Sequence, residues 1–181
     1  MNNLINIFNN LQSFLMSIFA IFGGITAILQ WNNSIKIKRA EYLSNLYDKL
    51  NNETIKSIIY MFDYNKTKWY DENFHKGGSQ LEIDVDETLN LFSFICYIYE
   101  RKLISQKEFN FFKYQLDRSL SSPQVEEYLY NVYHHCIHNK TDLCFNSLYN
   151  YIKKNKIYND EFFNNSNCTA YNVYLDWGKS K

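Results

Sequence analysis

The chain begins with a long apolar segment that contains no charged side chain. The stretch SFLMSIFAIFGGITAILQW covers residues 13–31, and the first charged side chain is that of Lys36. A helix over residues 11–31 spans about 30 Å at roughly 1.5 Å per residue, which matches the hydrocarbon core of a bilayer. A helix of a small soluble domain normally presents a charged face to water, and this segment has none. The segment therefore predicts a single membrane-spanning helix.

Two other interpretations of this segment stay open. One is an apolar helix of a soluble protein that becomes buried by oligomerisation. The other is a cleaved secretion signal, which is disfavoured because no Lys or Arg precedes the apolar run and no Ala-x-Ala pattern follows it.

The residues after the apolar run are those expected at a membrane–water interface. Trp31 lies where an interfacial aromatic residue belongs, and Lys36, Lys38 and Arg39 follow within a few residues. We expect the three cations to meet anionic lipid headgroups. Positive charge beside a span marks its cytoplasmic side. We therefore expect a single-pass protein of the inner membrane, with the N-terminus outside and the rest of the chain in the cytoplasm.

Small and uncharged polar residues occupy one side of this predicted helix. At about 100° per residue they fall within a single arc. The residues of this stripe are Asn6, Asn9, Asn10, Ser13, Ser17, Ala20 and Gly24. Lipid tails cannot form hydrogen bonds, and small residues four apart allow two helices to approach closely. The stripe therefore predicts a homo-oligomer, either a ring whose stripe lines a pore or a simpler dimeric anchor.

The remaining residues predict one all-α domain. The chain contains one Pro and five Gly, and aromatic and aliphatic residues recur at helical spacing. We expect a membrane helix over residues 1–34, a cytoplasmic bundle of about five helices over residues 35–156, and a tail over residues 157–181 that packs on the bundle. The many Tyr and Phe side chains predict an aromatic core with polar tips at its edges.

Several helix boundaries are marked by residue type. No Gly or Pro interrupts the chain directly after the membrane segment, so we expect its helix to continue through RAEYLSNLYDKL. Asn51 or Asn52 is the expected cap of the next helix, and residues 63–79 are expected to form a loop. The pattern SQKE at residues 105–108 predicts a capping box. Ser122 is expected to cap a helix that begins at Pro123.

Composition gives little support to nucleic-acid binding, disulfide formation or cofactor binding by the bundle. The 19 basic and 19 acidic residues balance, so no direct binding of nucleic acid is expected. Four widely spaced cysteines in a predicted cytoplasmic domain do not predict disulfides. We expect no cofactor.

The motif HHCIH is the strongest candidate for a metal site. His134 and His138 lie four residues apart, on one helical face, but the zinc-protease pattern requires Glu where this chain has His135. Two ligands on one turn do not make a site, so we assign no metal ligand. The expected structure is a helix end with exposed histidines, and the role of the three histidines stays open.

Two groups of residues keep RNA cleavage or RNA binding open as an alternative function. No arginine is followed by His within seven residues, so the Arg-x4-6-His motif of HEPN-like ribonucleases is absent. We therefore assign no catalytic residue and expect a protein that is not an enzyme. A membrane-tethered ribonuclease or RNA-binding module would have to use His134 with the distant Arg118. Otherwise it would have to use a short basic patch, which consists of Lys153, Lys154 and Lys156.

One segment of the bundle carries a family resemblance. With the N-terminal membrane helix and its basic flank, ETLNLFSFICYIYERKLISQKEFNFFKYQLDRSLSSPQVEEYL resembles small membrane-anchored helical proteins of prokaryotic defence islands. Within that group the chain is most similar to the small membrane accessory protein of type VI-B CRISPR systems. The resemblance implies a pore that strengthens antiviral defence once an RNA-guided, RNA-cleaving effector has recognised phage RNA. A membrane-anchored scaffold that recruits a partner to the membrane is a further alternative.

Overall fold

The computed structural model describes residues 2–64, 68–70, 74 and 78–164, and for residues 2–10 and 13 it describes the backbone alone. Within these residues the chain forms seven α-helices and no strand. They are α1 (Asn2–Leu50), α2 (Glu53–Tyr64), α3 (Gln80–Glu100), α4 (Gln106–Leu120), α5 (Pro123–Asn139), α6 (Asn146–Asn155) and α7 (Asp160–Asn164). The prediction of an all-α fold with a long apolar N-terminal helix and a helical bundle is confirmed.

The N-terminal helix is a single uninterrupted element. α1 contains 49 residues, which corresponds to about 74 Å at 1.5 Å per residue. It continues past Lys36 as expected and ends at Leu50, where the side-chain Nδ2 of Asn51 donates a hydrogen bond to the carbonyl oxygen of Tyr47 at 2.9 Å. The helix is therefore more than twice as long as the hydrocarbon core of a bilayer is thick.

Backbone contacts divide the chain into two compact units, residues 1–46 and residues 47–181. The first unit consists of α1 up to Leu46. The second contains the last turn of α1 and helices α2 to α7. The expected boundary between residues 34 and 35 lies inside α1, and that boundary stays a prediction.

The core of the second unit is built around α3. Helices α2, α4 and α6 each pack against it. Val85, Leu89, Phe92 and Ile95 are fully buried, because their spacing of three or four residues keeps them on one face of the helix. This face is the apolar stripe that periodicity indicates.

Tyrosine side chains close the edges of this core. The hydroxyl of Tyr149 donates to the carbonyl oxygen of Leu129, and that of Tyr158 donates to the carbonyl oxygen of Leu120, both at 2.8 Å. Tyr151 donates to a carboxylate oxygen of Asp117, also at 2.8 Å. The prediction of an aromatic core whose polar tips find partners is thus confirmed for these side chains.

Helix starts follow the capping residues with one exception. At the capping box, the backbone N–H of Ser105 donates to Glu108 at 2.6 Å and the N–H of Glu108 donates to the Ser105 hydroxyl at 3.4 Å. Asn52 caps α2 by accepting from the N–H of Thr54 at 2.9 Å. Pro123 opens α5 as expected, but the side chain of Ser122 forms no capping hydrogen bond.

Two segments that were expected to lack a regular helix contribute to the core, and one of them contains a short helix that was not expected. The expected loop 63–79 contributes buried aromatic side chains, since Trp69, Tyr70 and Phe74 all lie in the core. Beyond residue 157, Tyr158 and Phe162 are also buried, and α7 forms there. Residues 165–181 of the expected tail, which include Cys168, lie outside the described residues.

Candidate membrane-spanning and oligomerisation site

The first unit contains a helix suited to cross a membrane. The stretch Phe14–Leu50 includes an 18-residue window that is long and apolar enough to span a bilayer, and none of this window is buried in the chain. Phe19 and Phe22 are 70% and 66% exposed. A helix that forms the core of a soluble protein is buried by its neighbours, so this exposure separates the segment from such a helix.

The middle of the small-residue stripe is also fully open. Ser17, Ala20 and Gly24 are exposed and lie on one face of α1, at spacings of three and four residues. A Cβ atom placed on Gly23 or Gly24 would meet nothing within 4 Å. Packing within the chain therefore does not explain why glycine occurs at these two positions, although glycine is an unfavourable residue inside a helix.

The N-terminal part of the stripe is defined by the backbone alone. Asn6, Asn9, Asn10 and Ser13 lie within α1, in register with Ser17. Their side chains lie outside what the structure describes. Their assignment to a pore or an oligomer interface stays a prediction.

Thr26 is a polar residue of the span that sequence reasoning did not single out. Its hydroxyl donates back to the carbonyl oxygens of Phe22 and Gly23, the second at 3.2 Å. This bonding satisfies the hydroxyl within its own helix, which makes it compatible with a lipid environment. A hydroxyl-bearing residue within an otherwise apolar, uncharged run was the available signal.

The predicted interface residues follow the apolar run on the same helix. Trp31 is 70% exposed, and Lys36, Lys38 and Arg39 are exposed as well. The indole and the three cations therefore lie within about 12 Å along the helix axis at 1.5 Å per residue. This spacing places an aromatic residue and then positive charge at one end of the apolar segment, as a headgroup region requires.

The histidines of the HHCIH motif do not form an exposed cluster. The prediction of exposed histidines is wrong for His134, which is 6% exposed. Its Nε2 lies 2.8 Å from the carbonyl oxygen of Phe162 in α7, and its ring packs against those of Tyr130 and Tyr133. His138 is exposed. Among the described residues no group of three His, Cys, Asp or Glu side chains is arranged to hold a metal ion.

The residues considered for a nuclease are engaged in other contacts. The guanidinium of Arg118 donates to Asp63 through Nε at 2.7 Å and to the hydroxyl of Tyr114 at 2.8 Å. The hydrogen bond to Asp63 raises the pKa of Arg118, which stays charged. The lysine patch lies at the end of α6, where Lys153 is placed 5.7 Å from the centre of the Phe163 ring. Cations at a helix C-terminus also stabilise the helix dipole.

A cavity between α5 and α7 was not indicated by the sequence. It has a volume of about 350 Å³, and its lining includes Glu126, Glu127 and Glu161. Burial raises the pKa of Glu126. The cavity depends on α7, whose five residues carry too little periodic pattern to predict.

Comparison of the chain with protein-family models, with curated proteins and with solved structures found no match. The resemblance to the accessory protein of type VI-B CRISPR systems therefore stays a prediction.

Proposed function

We propose that the chain is a membrane protein that assembles through α1 into an oligomeric pore. The observation that carries this proposal is the apolar window of α1, no part of which is buried in its own chain. Exposing apolar surface to water costs about 25 cal/mol per Å². Insertion into a bilayer removes this cost for side chains such as Phe19 and Phe22.

The small-residue stripe supports assembly of several copies. Helices in lipid are held together by close packing, because no hydrophobic effect acts between them there. Gly23 and Gly24 have open space in place of side chains, and Ser17 and Ala20 continue the same narrow surface. A second copy of α1 can approach this surface more closely than it can approach the face that carries Phe22.

The polar members of the stripe favour a ring over a dimer. Asn6, Asn10, Ser13 and Ser17 lie along the part of α1 that precedes and enters the apolar run. A dimer interface has room for a few small side chains, whereas four polar residues on one face of a helix are accommodated more easily where water can reach that face. A ring of helices with this row inside would conduct ions or small molecules.

Orientation follows from the charges after the span. Because positive charge beside a span marks its cytoplasmic side, Lys36, Lys38 and Arg39 support a topology with the second unit in the cytoplasm and the N-terminus outside the inner membrane. In the setting that the family resemblance implies, the pore strengthens RNA-guided antiviral defence by depolarising the membrane after an effector has recognised phage RNA. The bundle would then assemble the ring and receive the signal, and neither step needs a catalytic residue or a cofactor.

Membrane permeability in cells tests this proposal. We expect that expression of the wild-type chain, together with activation of the RNA-guided defence system, causes dye uptake and depolarisation. We expect the Ser17→Phe/Gly24→Phe variant to abolish both. Unchanged permeability with the wild-type chain, or full permeability with the variant, would contradict a pore.

A helix exchange separates the pore from the other candidate functions. Replacing residues 1–31 by an unrelated membrane helix should abolish function if α1 forms a pore and preserve it if the chain is only an anchored scaffold. Cleavage of RNA by the purified chain that is lost in a His134→Ala/His138→Ala variant would instead indicate a tethered ribonuclease.

A further inference from the structure

Two of the four cysteines lie close together although they are eight residues apart. The Sγ atoms of Cys136, near the end of α5, and Cys144, just before α6, are 4.0 Å apart. Both carry free thiols. We propose that Cys136 and Cys144 form a reversible intrachain disulfide when the chain meets an oxidant of the small-molecule disulfide class. The proposal does not depend on the pore.

The turn between the two helices holds this pair in place. The N–H of Thr141 donates to the carbonyl oxygen of Cys136 at 3.0 Å, and the N–H of Lys140 donates to that of Ile137 at 3.3 Å. These two bonds form a Schellman motif, with Lys140 in the left-handed region at φ 54°. The motif ends α5 at Asn139 and reverses the direction of the chain a few residues after Cys136.

The other side of the turn is fixed by Phe145. This residue also adopts a left-handed conformation, at φ 54°, and its side chain is 6% exposed. Its carbonyl oxygen accepts hydrogen bonds from the N–H groups of Leu148 and Tyr149. Cys144 directly precedes this buried anchor and the first turn of α6, which fix its position 4.0 Å, sulfur to sulfur, from Cys136.

The remaining gap between the sulfurs is small. A disulfide requires about 2 Å between sulfur atoms, so the two must approach by roughly half their present separation. Cys144 is exposed, and rotation of its side chain can supply this movement. Cys136 is 3% exposed, so its own access to solvent is small.

This difference in exposure assigns the two thiols distinct roles. Cys144 loses its proton to solvent, and its thiolate attacks one sulfur of the oxidant, breaking the oxidant's S–S bond and releasing one small thiol. Cys136 then loses its proton and attacks Sγ of Cys144, which breaks the mixed disulfide and releases the second small thiol. Two cysteine thiols are oxidised, and one small disulfide is reduced to two thiols.

Burial slows the first step at neutral pH. The pKa of Cys144 is raised, first by partial burial and second by the neighbouring Cys136 thiol. The thiolate of Cys144 is therefore a minor species at neutral pH. Since the thiolate is the nucleophile, the rate should rise with pH. Cys96 provides an internal control, because it is 2% exposed and burial raises its pKa strongly.

Mass spectrometry after thiol trapping tests the proposal on the full chain in detergent, in a Cys168→Ser background. The reduced protein is equilibrated with oxidised glutathione, alkylated and digested. We expect the intact mass to fall by two hydrogens before alkylation, a Cys136–Cys144 cross-linked peptide after digestion, and continued alkylation of Cys96 after denaturation. Reduction should restore both thiols, and the oxidised form should melt about 5 °C or more higher.

Two single variants distinguish the proposed sequence of steps. Cys136→Ala should stop at a stable glutathione adduct on Cys144, because the resolving thiol is absent. Cys144→Ser should leave Cys136 reduced. If Cys136 and Cys144 remain fully alkylatable in the wild-type chain, or if Cys144 pairs with another copy instead, the proposal is wrong.

Discussion

The hydroxyl of Tyr149 on α6 donates a hydrogen bond to the carbonyl oxygen of Leu129 on α5, with a length of 2.8 Å. Tyr149 is 3% exposed, so the bond lies where water cannot replace it. The same burial raises the pKa of Tyr149 well above its ordinary value. Tyr149 therefore joins two helices through its hydroxyl, and its burial between them opposes its ionisation.

We expect Tyr149→Phe to lower the free energy of unfolding of the bundle by about 1 kcal/mol, because a buried hydrogen bond is lost while the ring remains. Chemical denaturation in detergent, followed by circular dichroism, measures this loss. Tyr47→Phe is the matched control, since Tyr47 is 50% exposed and its replacement should change stability by less than about 0.5 kcal/mol. Equal effects of the two substitutions would show that the contact does not stabilise the bundle.

The bundle should also lose stability at alkaline pH. Burial raises the pKa values of Tyr149, Tyr151 and Tyr158 above the ordinary 10.0. A raised pKa in the folded state gives stability that is fully present below pH 10 and is lost as pH rises above it. Unfolding measured between about pH 9 and pH 11, with tyrosinate absorbance as a second signal, should show this fall. The Tyr149→Phe/Tyr158→Phe variant should reduce the slope, and an unchanged slope would contradict the assignment.

Bulky residues on the small-residue stripe should break the assembly. Ser17→Phe/Gly24→Phe places two rings on the face where Gly24 now leaves open space, so neighbouring helices can no longer approach. We expect the detergent-extracted complex to fall to a smaller mass on size exclusion with light scattering. Leu15→Phe/Ile25→Phe adds bulk to the opposite face, and this control should keep the mass of the wild-type complex.

A charge placed on each face of α1 distinguishes a water-filled pore from a lipid contact. Ser17→Lys should insert normally and shift permeability towards anions, because the ammonium would line the pore. Phe22→Lys should reduce insertion, since a lysine at the centre of a span costs about 2.5–3.5 kcal/mol. Membrane fractionation and vesicle ion-flux measurements report the two effects. Normal insertion of the Phe22→Lys variant would place this face away from lipid.

The cations after the span should fix orientation. In a Cys168→Ser background, Cys144 is the exposed thiol among the described cysteines, since Cys96 and Cys136 are buried. We expect a membrane-impermeant maleimide to label it only after cells are permeabilised. Replacing Lys36, Lys38 and Arg39 by Gln should allow labelling of intact cells by a fraction of molecules. Labelling of the parent chain in intact cells would reverse the proposed topology.

The features that the sequence predicted best are those set by local pattern. The continuity of α1 follows from an uncharged run without Pro, and the capping box at Ser105 and Glu108 depends on two side chains three residues apart. Both features depend only on residues that are close together in the sequence. For the same reason the stripe of small residues on α1 can be recognised from the sequence alone.

The features that were missed depend on distant contacts or unusual backbone. Lys140 and Phe145 adopt left-handed conformations that non-glycine residues rarely take, so the sequence did not indicate that Cys136 and Cys144 lie close together. His134 is buried because the Phe162 carbonyl of α7 reaches it, 28 residues away. Trp69 sits in an expected loop, yet it is 6% exposed.

The mass of the complex extracted in mild detergent or in native nanodiscs tests the central claim most directly. If the uncharged stripe of α1 lines a pore, native mass spectrometry should give one closed assembly with more than two copies of the chain. A strict dimer would support an anchor without a pore. A stable monomer that stays monodisperse without detergent would contradict both the membrane helix and the assembly proposed to form through it.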